Sequence, residues 1–515
     1  MREKQILGLI VFTIVALVGI PSWLEWIPEP SCEGPESDPR PVLEICRTPT
    51  ELQRESLESI AKSMLIDYAP EHCEAFYDKL RQKTELLEPV YGSLDPLKTI
   101  TQLEYLEVAN IKTCDYSMLA EMKSLEELSI TYSPFDDLTP ISKLNNLRRL
   151  TLSGIFLKDV TPLLSLTELR KLDISVNQVD DIQPLTGLTK LLELDLSSNS
   201  LVEPAHLDRP PEANRLSPLG RMHSLKSLKL NRMNRKLEVI PSLQELKHLA
   251  IFEASHNKII DLSPLSQYKN LKALSLEGNQ VVDLSHLVGL TGLSEVNLED
   301  NQIVNLSPLA RLTDLSVVSL SHNQVIDLSP LVKLPVLKKM YLNHNQIVDL
   351  GPLAKATELL LISLSYNQIV DLSPLAGLTE LEALVLSHNQ IVDLSPLAGL
   401  TWLGALYLDQ NRIVDLSPLA GLTGLRGVDL SDNQIVDLSP LAGLTGLGAL
   451  VLAHNQIVDL NPVAGLTGLS VVYLNNNQIT SIEALKNWNN TQLLDTSNNP
   501  IKDNTPTDAS PDVAE

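Results

Sequence analysis

The sequence predicts an α/β solenoid, a curved stack of short parallel strands made from 22-residue units and closed at one end by a few helices. Three observations predict it. The residue Asn257 is followed at steps of 22 by Asn279, Asn301, Asn323, Asn345, Asn367, Asn389, Asn411, Asn433, Asn455, Asn477 and Asn499, and Asn177 and Asn199 keep the same spacing. Within a unit, Leu406 and Leu408 alternate with Tyr407, which is the period of a strand with Leu inward and Tyr outward. Aromatic residues are 4% of the chain, which fits a core of stacked aliphatic side chains.

The chain opens on Arg2 and Lys4, then an apolar run from Ile6 to Leu24, followed by Trp26. The run spans 19 residues, about the length that crosses a bilayer. The basic residues lie on its N-terminal side, which puts the N-terminus in the cytoplasm and the bulk outside. Residues 1–30 are therefore expected to be a signal or signal-anchor transmembrane segment. A cleaved export signal and a buried helix of a cytosolic protein are the competing readings.

Residues 31–88 read as a spacer and a helical N-terminal cap. Thr48 as N-cap, Pro49 at the first position and Glu51 completing a capping box predict a helix to about Leu65. A second is expected over about 71–87. Such helices can cover the first rung of a solenoid, which otherwise has no neighbour. Four cysteines, Cys32, Cys46, Cys73 and Cys114, precede or border the repeats. In an exported chain they suggest two disulfides, with Cys32–Cys46 and Cys73–Cys114 the favoured pairing of three possible; four reduced thiols are the alternative.

The repeat array is expected over 89–499. Steps of 22 back from Asn177 fall on Ile155, Ser133 and Ile111, and Met233 takes the Asn site of a further rung, making eighteen registers, fourteen with Asn. Between Asn199 and Met233 an insertion near 205–216, with Pro210 and Pro211, should bulge as a loop. Residues 500–515 read as a disordered acidic tail. It carries no wall-sorting motif, so attachment is expected through the N-terminus or not at all. In each unit the Asn turns inward at the bend, where an amide is tolerated only if fully hydrogen-bonded, so the column from Asn257 to Asn477 is expected to be a structural ladder. Ser395 and Pro396 start a short 3-10 or helical segment, Ser as cap.

The pattern L-x-x-L-x-L-x-x-N-x-I, as in Leu403, Leu406, Leu408, Asn411 and Ile413, resembles the leucine-rich repeat family, and the segment Ile391 to Leu397 is most similar to its bacterial internalin-type subclass. The resemblance implies a right-handed horseshoe with a concave parallel β-sheet and short 3-10 or helical convex segments. It is specific for fold and weak for biological role.

Chemistry has few places to sit. There is no nucleophile–base set, phosphate loop or metal-ligand motif, so no enzyme, metal or cofactor is expected. The net charge of -24 argues against nucleic acid, which needs a basic face. An Asp column (Asp261, Asp283, Asp327, Asp349, Asp371, Asp393, Asp415, Asp437, Asp459) reads either as stacked carboxylates for calcium or as residues bonding their own turns. A His column precedes the Asn: His256, His322, His344, His388 and His454. Tyr341, Tyr407 and Tyr473 recur every 66 residues at the central outward strand position, with Tyr366 between the first two. Tyr buries a large rigid surface at low entropy cost, so these four, with the basic Lys226, Lys229 and Arg232, are the candidate partner-binding residues on the concave face. Lys236 and Arg235 extend the basic cluster. Copying of a three-rung block, and a solvated face, are the plain alternatives for the Tyr column and the basic cluster.

The expected function is that of a non-catalytic protein-binding scaffold, exported and membrane-anchored, at the periplasmic side or cell surface. The alternatives are a secreted form, a cytosolic regulatory subunit similar to the 22-residue-repeat proteins that bind phosphatase catalytic subunits, and a purely structural surface spacer.

Overall fold

The computed structural model describes residues 42–63, 68–83, 86, 90–112, 115–135, 137–201, 215–234, 236–241, 245–489 and 491–502. The apolar run from Ile6 to Leu24, Cys32, Cys114, nearly all of the 205–216 insertion, Arg235 and the tail from Asp503 lie outside the described residues. No helix among the described residues is long and apolar enough to cross a membrane. The described residues divide into two compact units, one within 42–281 and one within 282–502.

The first unit begins with helices α1 (Val42–Arg47), α2 (Glu51–Ser63) and α3 (Cys73–Leu80). The capping box differs from the expected one. Thr50 Oγ1 accepts the Gln53 amide (3.3 Å) and Gln53 Oε1 accepts the Thr50 amide (3.0 Å). Thr48 instead ends α1, its amide and hydroxyl both donating to the Glu44 carbonyl. The pairing of the cysteines also departs from expectation: Cys46 bonds Cys73, with Cα atoms 5.9 Å apart, because α1 and α3 pack side by side. That excludes both Cys32–Cys46 and Cys73–Cys114. A buried polar network fixes the cap to the first rung. Gln53 Nε2 donates to Asp95 Oδ2 (3.0 Å), the Ser93 amide donates to Ser56 Oγ (2.8 Å), and Lys98 pairs with Asp95 (2.9 Å).

The strands of this unit are β1 (Val90–Gly92), β2 (Tyr105–Ile111), β3 (Glu127–Thr131), β4 (Arg149–Ser153), β5 (Lys171–Asp173), β6 (Glu193–Asp195), β7 (Ser227–Lys229), β8 (Ile251–Glu253) and β9 (Ala273–Ser275). Each pairs in parallel with the next. Strand β1 is a rung that the 22-residue ruler misses, since the step back from Ile111 lands on Pro89. The second unit carries β10 (Glu295–Asn297), β11 (Val317–Ser319), β12 (Lys339–Tyr341), β13 (Leu361–Ser363), β14 (Ala383–Val385), β15 (Ala405–Tyr407), β16 (Gly427–Asp429), β17 (Ala449–Val451), β18 (Val471–Tyr473) and β19 (Leu493–Asp495). All of their pairings are parallel and in a register of 22, as in Ala383↔Ala405↔Gly427.

The ladder Asn does most to join rung to rung. Asn389 Nδ2 donates to the Leu364 carbonyl of the preceding rung (3.0 Å) and to Leu386 (3.0 Å) and Ser387 (3.2 Å) of its own. Its Oδ1 accepts the Ile369 amide of the preceding rung (3.0 Å). The side chains of Asn279, Asn323, Asn345, Asn367, Asn411, Asn433, Asn455 and Asn477 are buried in the same way. Each reaches back to the carbonyl 25 residues earlier. Each also accepts the amide 20 residues earlier. Asn257 reaches 27 residues back, to Leu230, across the longer unit before it. Asn301 binds its own turn through the Leu298 (3.1 Å) and Glu299 (3.0 Å) carbonyls.

Where Asn is absent the bonds thin out. Ser133 does part of the work in an early rung, accepting the Ile111 amide (3.1 Å), whereas Met233 fills its site with buried apolar volume. The residue before the Asn turns left-handed in rung after rung, at φ 55° for Tyr366, 53° for His388 and 55° for Gln410. Gly278 occupies one such position (φ 65°), where a Cβ would lie 2.5 Å from His256 Nδ1. Most 3-10 segments carry Pro at their second position, as in Ser395–Leu397, so the Ser expected to cap them is their first residue, and their cap is the preceding Asp. Asp393 Oδ1 accepts the Ser395 amide at 2.8 Å, and Ser395 makes no cap of its own.

Asn389→Ala leaves the Ile369 amide and the Leu364 carbonyl without their side-chain partner. We expect a loss of about 2–4 kcal/mol of local stability, read as faster hydrogen exchange at the Ile369 amide and a lower Tm. Unchanged exchange at Ile369 would contradict the bridging role.

Candidate partner-binding face

In the second unit the outward strand positions form columns. The middle column reads Tyr341, Ser363, Val385, Tyr407, Asp429, Val451 and Tyr473 in hydrogen-bonded register. The three tyrosines are thus on one column, three rungs or about 14 Å apart. Tyr341 and Tyr407 are half-buried and pack against Leu361, Ala383 and Ala405 of the adjacent column, which are themselves buried. Small side chains there let the rings lie down on the sheet. Burial raises the Tyr341 phenol above its usual range.

Tyr366 is elsewhere. It sits in the left-handed turn after β13, in the column of the histidines. His322, His344, Tyr366 and His388 form a continuous stack, with ring centroids 4.1, 3.9 and 3.8 Å apart and planes within 16° of parallel. The sequence contained the signal, since Tyr366 is 22 residues from both His344 and His388. Burial, then His322 and His388, lowers the His344 pKa below the ordinary imidazole value. His256 belongs to the first unit, 3.3 Å from Glu277, and His454 Nε2 lies 3.1 Å from Asn476 Nδ2.

Two carboxylates border the tyrosines and escaped the sequence reading. Asp429 Oδ1 accepts the amide (2.9 Å) and hydroxyl (2.6 Å) of Ser431, and Asp409 bonds the Ser387 hydroxyl with His388 at 4.0 Å. Burial and, secondarily, Asp409 push Asp429 up to about 6; burial also raises Asp409. The clue in the sequence was two carboxylates at outward positions where the surrounding rungs carry Ser, Ala and Val.

The basic residues lie in the first unit. Lys229 is on β7, Lys226 immediately precedes it, and Arg232 is in the left-handed turn that follows. Lys229 pairs with Glu253 at 3.1 Å, which with Asp195 and Asp173 raises its pKa despite burial. The strand face of this unit is laced with such pairs, including Arg149–Glu127 and Lys171–Glu193 (3.6 Å). Lys236 donates to the His256 carbonyl (2.7 Å).

Every Asp of the predicted column keeps a capping position, and Asp283, Asp327, Asp371, Asp393, Asp415 and Asp437 are held below the usual carboxylate range by hydrogen bonds to the Ser two residues on. Asp115, Asp137, Asp159 and Asp181 extend the column upstream with the same bond. Asn305 takes the role where Asp is missing. Among the described residues no group of three or more His, Cys, Asp or Glu side chains is placed to hold a metal.

Comparison with known proteins agrees with this geometry. The family model described as leucine-rich repeats in two copies matches residues 167–208, 357–399 and 449–487, and the leucine-rich repeat model of leucine-rich repeat and WD repeat-containing protein 1 matches 205–291. The chain belongs to the leucine-rich repeat family. No protein of curated function matches this leucine-rich repeat chain by sequence. Among solved structures it is similar to a Listeria monocytogenes internalin, InlF, with 30% identity over 69% of this chain and 88% of that one and a TM-score of 0.48. A leucine-rich repeat protein of Leptospira interrogans has 24% identity, covering 67% and 94% of the two chains, with a TM-score of 0.58. The functional domain of Listeria monocytogenes InlJ has 20% identity, covering 76% and 77%, with a TM-score of 0.52. The last two show the shared fold.

Asp429 generates a pH prediction. Its folded pKa lies above the unfolded one, so its contribution favours the native state fully below about pH 4 and is lost as pH rises through about 6. Asp429→Asn should therefore stabilise the protein at pH 7 by about 1–3 kcal/mol and flatten the change in Tm between pH 4 and 7. A variant as sensitive as the parent over that window would refute the assignment.

Proposed function

We propose that this leucine-rich repeat scaffold is an exported, membrane-tethered protein-binding module whose partner docks on the strand face around Tyr341, Tyr407 and Tyr473. The observation that carries the reading is the patch beneath the first two tyrosines. In a chain of net charge -24, Leu361, Ala383, Ala405, Ser363 and Val385 make an uncharged floor bordered by two half-buried rings. Binding hot spots favour such rigid aromatic anchors over small, desolvated surroundings. The first unit's strand face offers charges already paired to one another, which gains less from a partner.

Export and tethering rest on the basic residues before the apolar run of Ile6 to Leu24 and are supported by the Cys46–Cys73 disulfide, a bond that persists in oxidising compartments. Lys226, Lys229 and Arg232 are the secondary contact region for an acidic partner.

The test is affinity capture from extracts of the source organism's envelope with the full chain, comparing the parent with a Tyr341→Ala/Tyr407→Ala variant and a Trp402→Ala control, Trp402 being 61% exposed in the turn that precedes β15. We expect the double variant to lose at least about tenfold in affinity, about 1.4 kcal/mol, with the control unchanged. Equal retention by all three would reject the strand-face site. Protease protection of the repeat array in cells whose outer envelope has been opened while the cytoplasmic membrane stays intact would reject export.

A further inference from the structure

The second unit carries an exposed aliphatic column that the strand-face reading leaves unused. Three residues after each ladder Asn stands a Val or Ile, one per rung from Val282 to Val458, nine in all, each between 44% and 54% exposed. Spaced one rung apart they run about 38 Å. Contiguous apolar surface of that extent on a soluble protein marks an interaction site. The column keeps its one-rung spacing because the extended segments that carry it are bonded rung to rung, as when the Gln390 amide donates to the Ile369 carbonyl at 2.9 Å. On one flank runs a Gln column from Gln302 to Gln478, interrupted once by Arg412. On the other runs the capping Asp column, interrupted once by Asn305.

We infer that this Gln–Val–Asp edge is a self-association surface, and that two copies of the chain pair along it side by side and parallel, about a two-fold axis parallel to the stack of rungs. The geometry selects the occupant. Rotation about such an axis exchanges left and right, so Val meets Val of the second copy and each Gln amide faces an Asp carboxylate of the same rung. The capping amide uses one carboxylate oxygen, and at Asp283 the Ser285 hydroxyl bonds the other, but a carboxylate has about four lone-pair sites and keeps acceptor capacity for that amide. Both interruptions fit. Arg412 faces Asp415 of the second copy, a charge pair in place of an amide–carboxylate bond, and Asn305 faces Gln302, amide against amide. Because both surfaces come from the same chain, the match holds over the full length of the column. An antiparallel pair would oppose the two Asp columns, and like charges opposite one another are destabilising. The interface is isologous and closes as a dimer.

Sedimentation velocity at physiological ionic strength on the full chain should show a concentration-dependent dimer. The fourfold variant Val370→Thr/Val392→Thr/Val414→Thr/Val436→Thr, which keeps side-chain volume at exposed positions, should weaken it at least about tenfold with unchanged circular dichroism. Arg412→Glu should weaken it and Arg412→Gln largely retain it. Orientation is read separately, from Val304→Cys and Val436→Cys, which lie three rungs either side of Val370. In the parallel dimer each crosslinks to itself and a mixture yields no mixed product; an antiparallel dimer yields only the mixed one. A monomer at every soluble concentration, a dimer indifferent to the Thr substitutions, or mixed crosslinks alone would each overturn the inference.

Discussion

The amide of the ladder asparagine is the interaction on which the rest of the structure depends. A strand of three residues cannot hold its place through its own ladder bonds, and the turn after it leaves backbone groups facing the core. One buried side chain with two donor hydrogens and an acceptor supplies both needs, binding its own turn and the rung before it, as Asn389 does with Leu386, Ser387, Leu364 and Ile369. No apolar residue can do this, which is why the amino acid recurs where hydrophobicity would favour Leu. The left-handed residue before each Asn is part of the same arrangement. It costs about 1–2 kcal/mol for a non-glycine residue, and the bonds of the Asn offset it.

With the interior set by Leu and Asn columns, the exterior is free to vary by position, and each exterior column acquires a different character. The strand column of the second unit is uncharged from Tyr341 to Tyr407, with the rings resting on alanines. The turn column is a stack of imidazole and phenol rings held at one rung's separation. The capping column is almost uniformly acidic, because Asp both binds the next turn's amide and stays exposed. The aliphatic column beside it has no such internal task. One repeat geometry thus places distinct chemistries on parallel tracks, and function is divided among the tracks more than along the chain.

The repeats and the helical cap differ in how far the sequence specifies them. The 22-residue ruler anticipated the strands from Tyr105–Ile111 onward because its signals are local and periodic: alternation, a turn Asn, and Pro opening the 3-10 segment. It missed Val90–Gly92, where Gly92 pairs with Ile111, so that the rung is 19 residues back instead of 22. The cap was less legible. Thr48 and Glu51 satisfy a capping pattern as well as Thr50 and Gln53 do, and only the packing of the first helix decides between them. The cysteine pairing was likewise a matter of which helices meet.

The sequence alone determined the repeat, its length, which side chains point inward and which residues bridge the rungs, since these follow from short-range stereochemistry repeated many times. Tertiary structure decided what the outward residues do together. Stacking converts a spacing of 22 in the chain into contact at one rung, so Tyr366 joins the histidines although its neighbours in the Tyr series are 25 and 41 residues away. It also partly buries Asp429 between rungs, where lost solvation rather than any local sequence cue lifts its pKa. Contacts within a rung are written in the order of the chain; contacts between rungs exist only once the chain is wound.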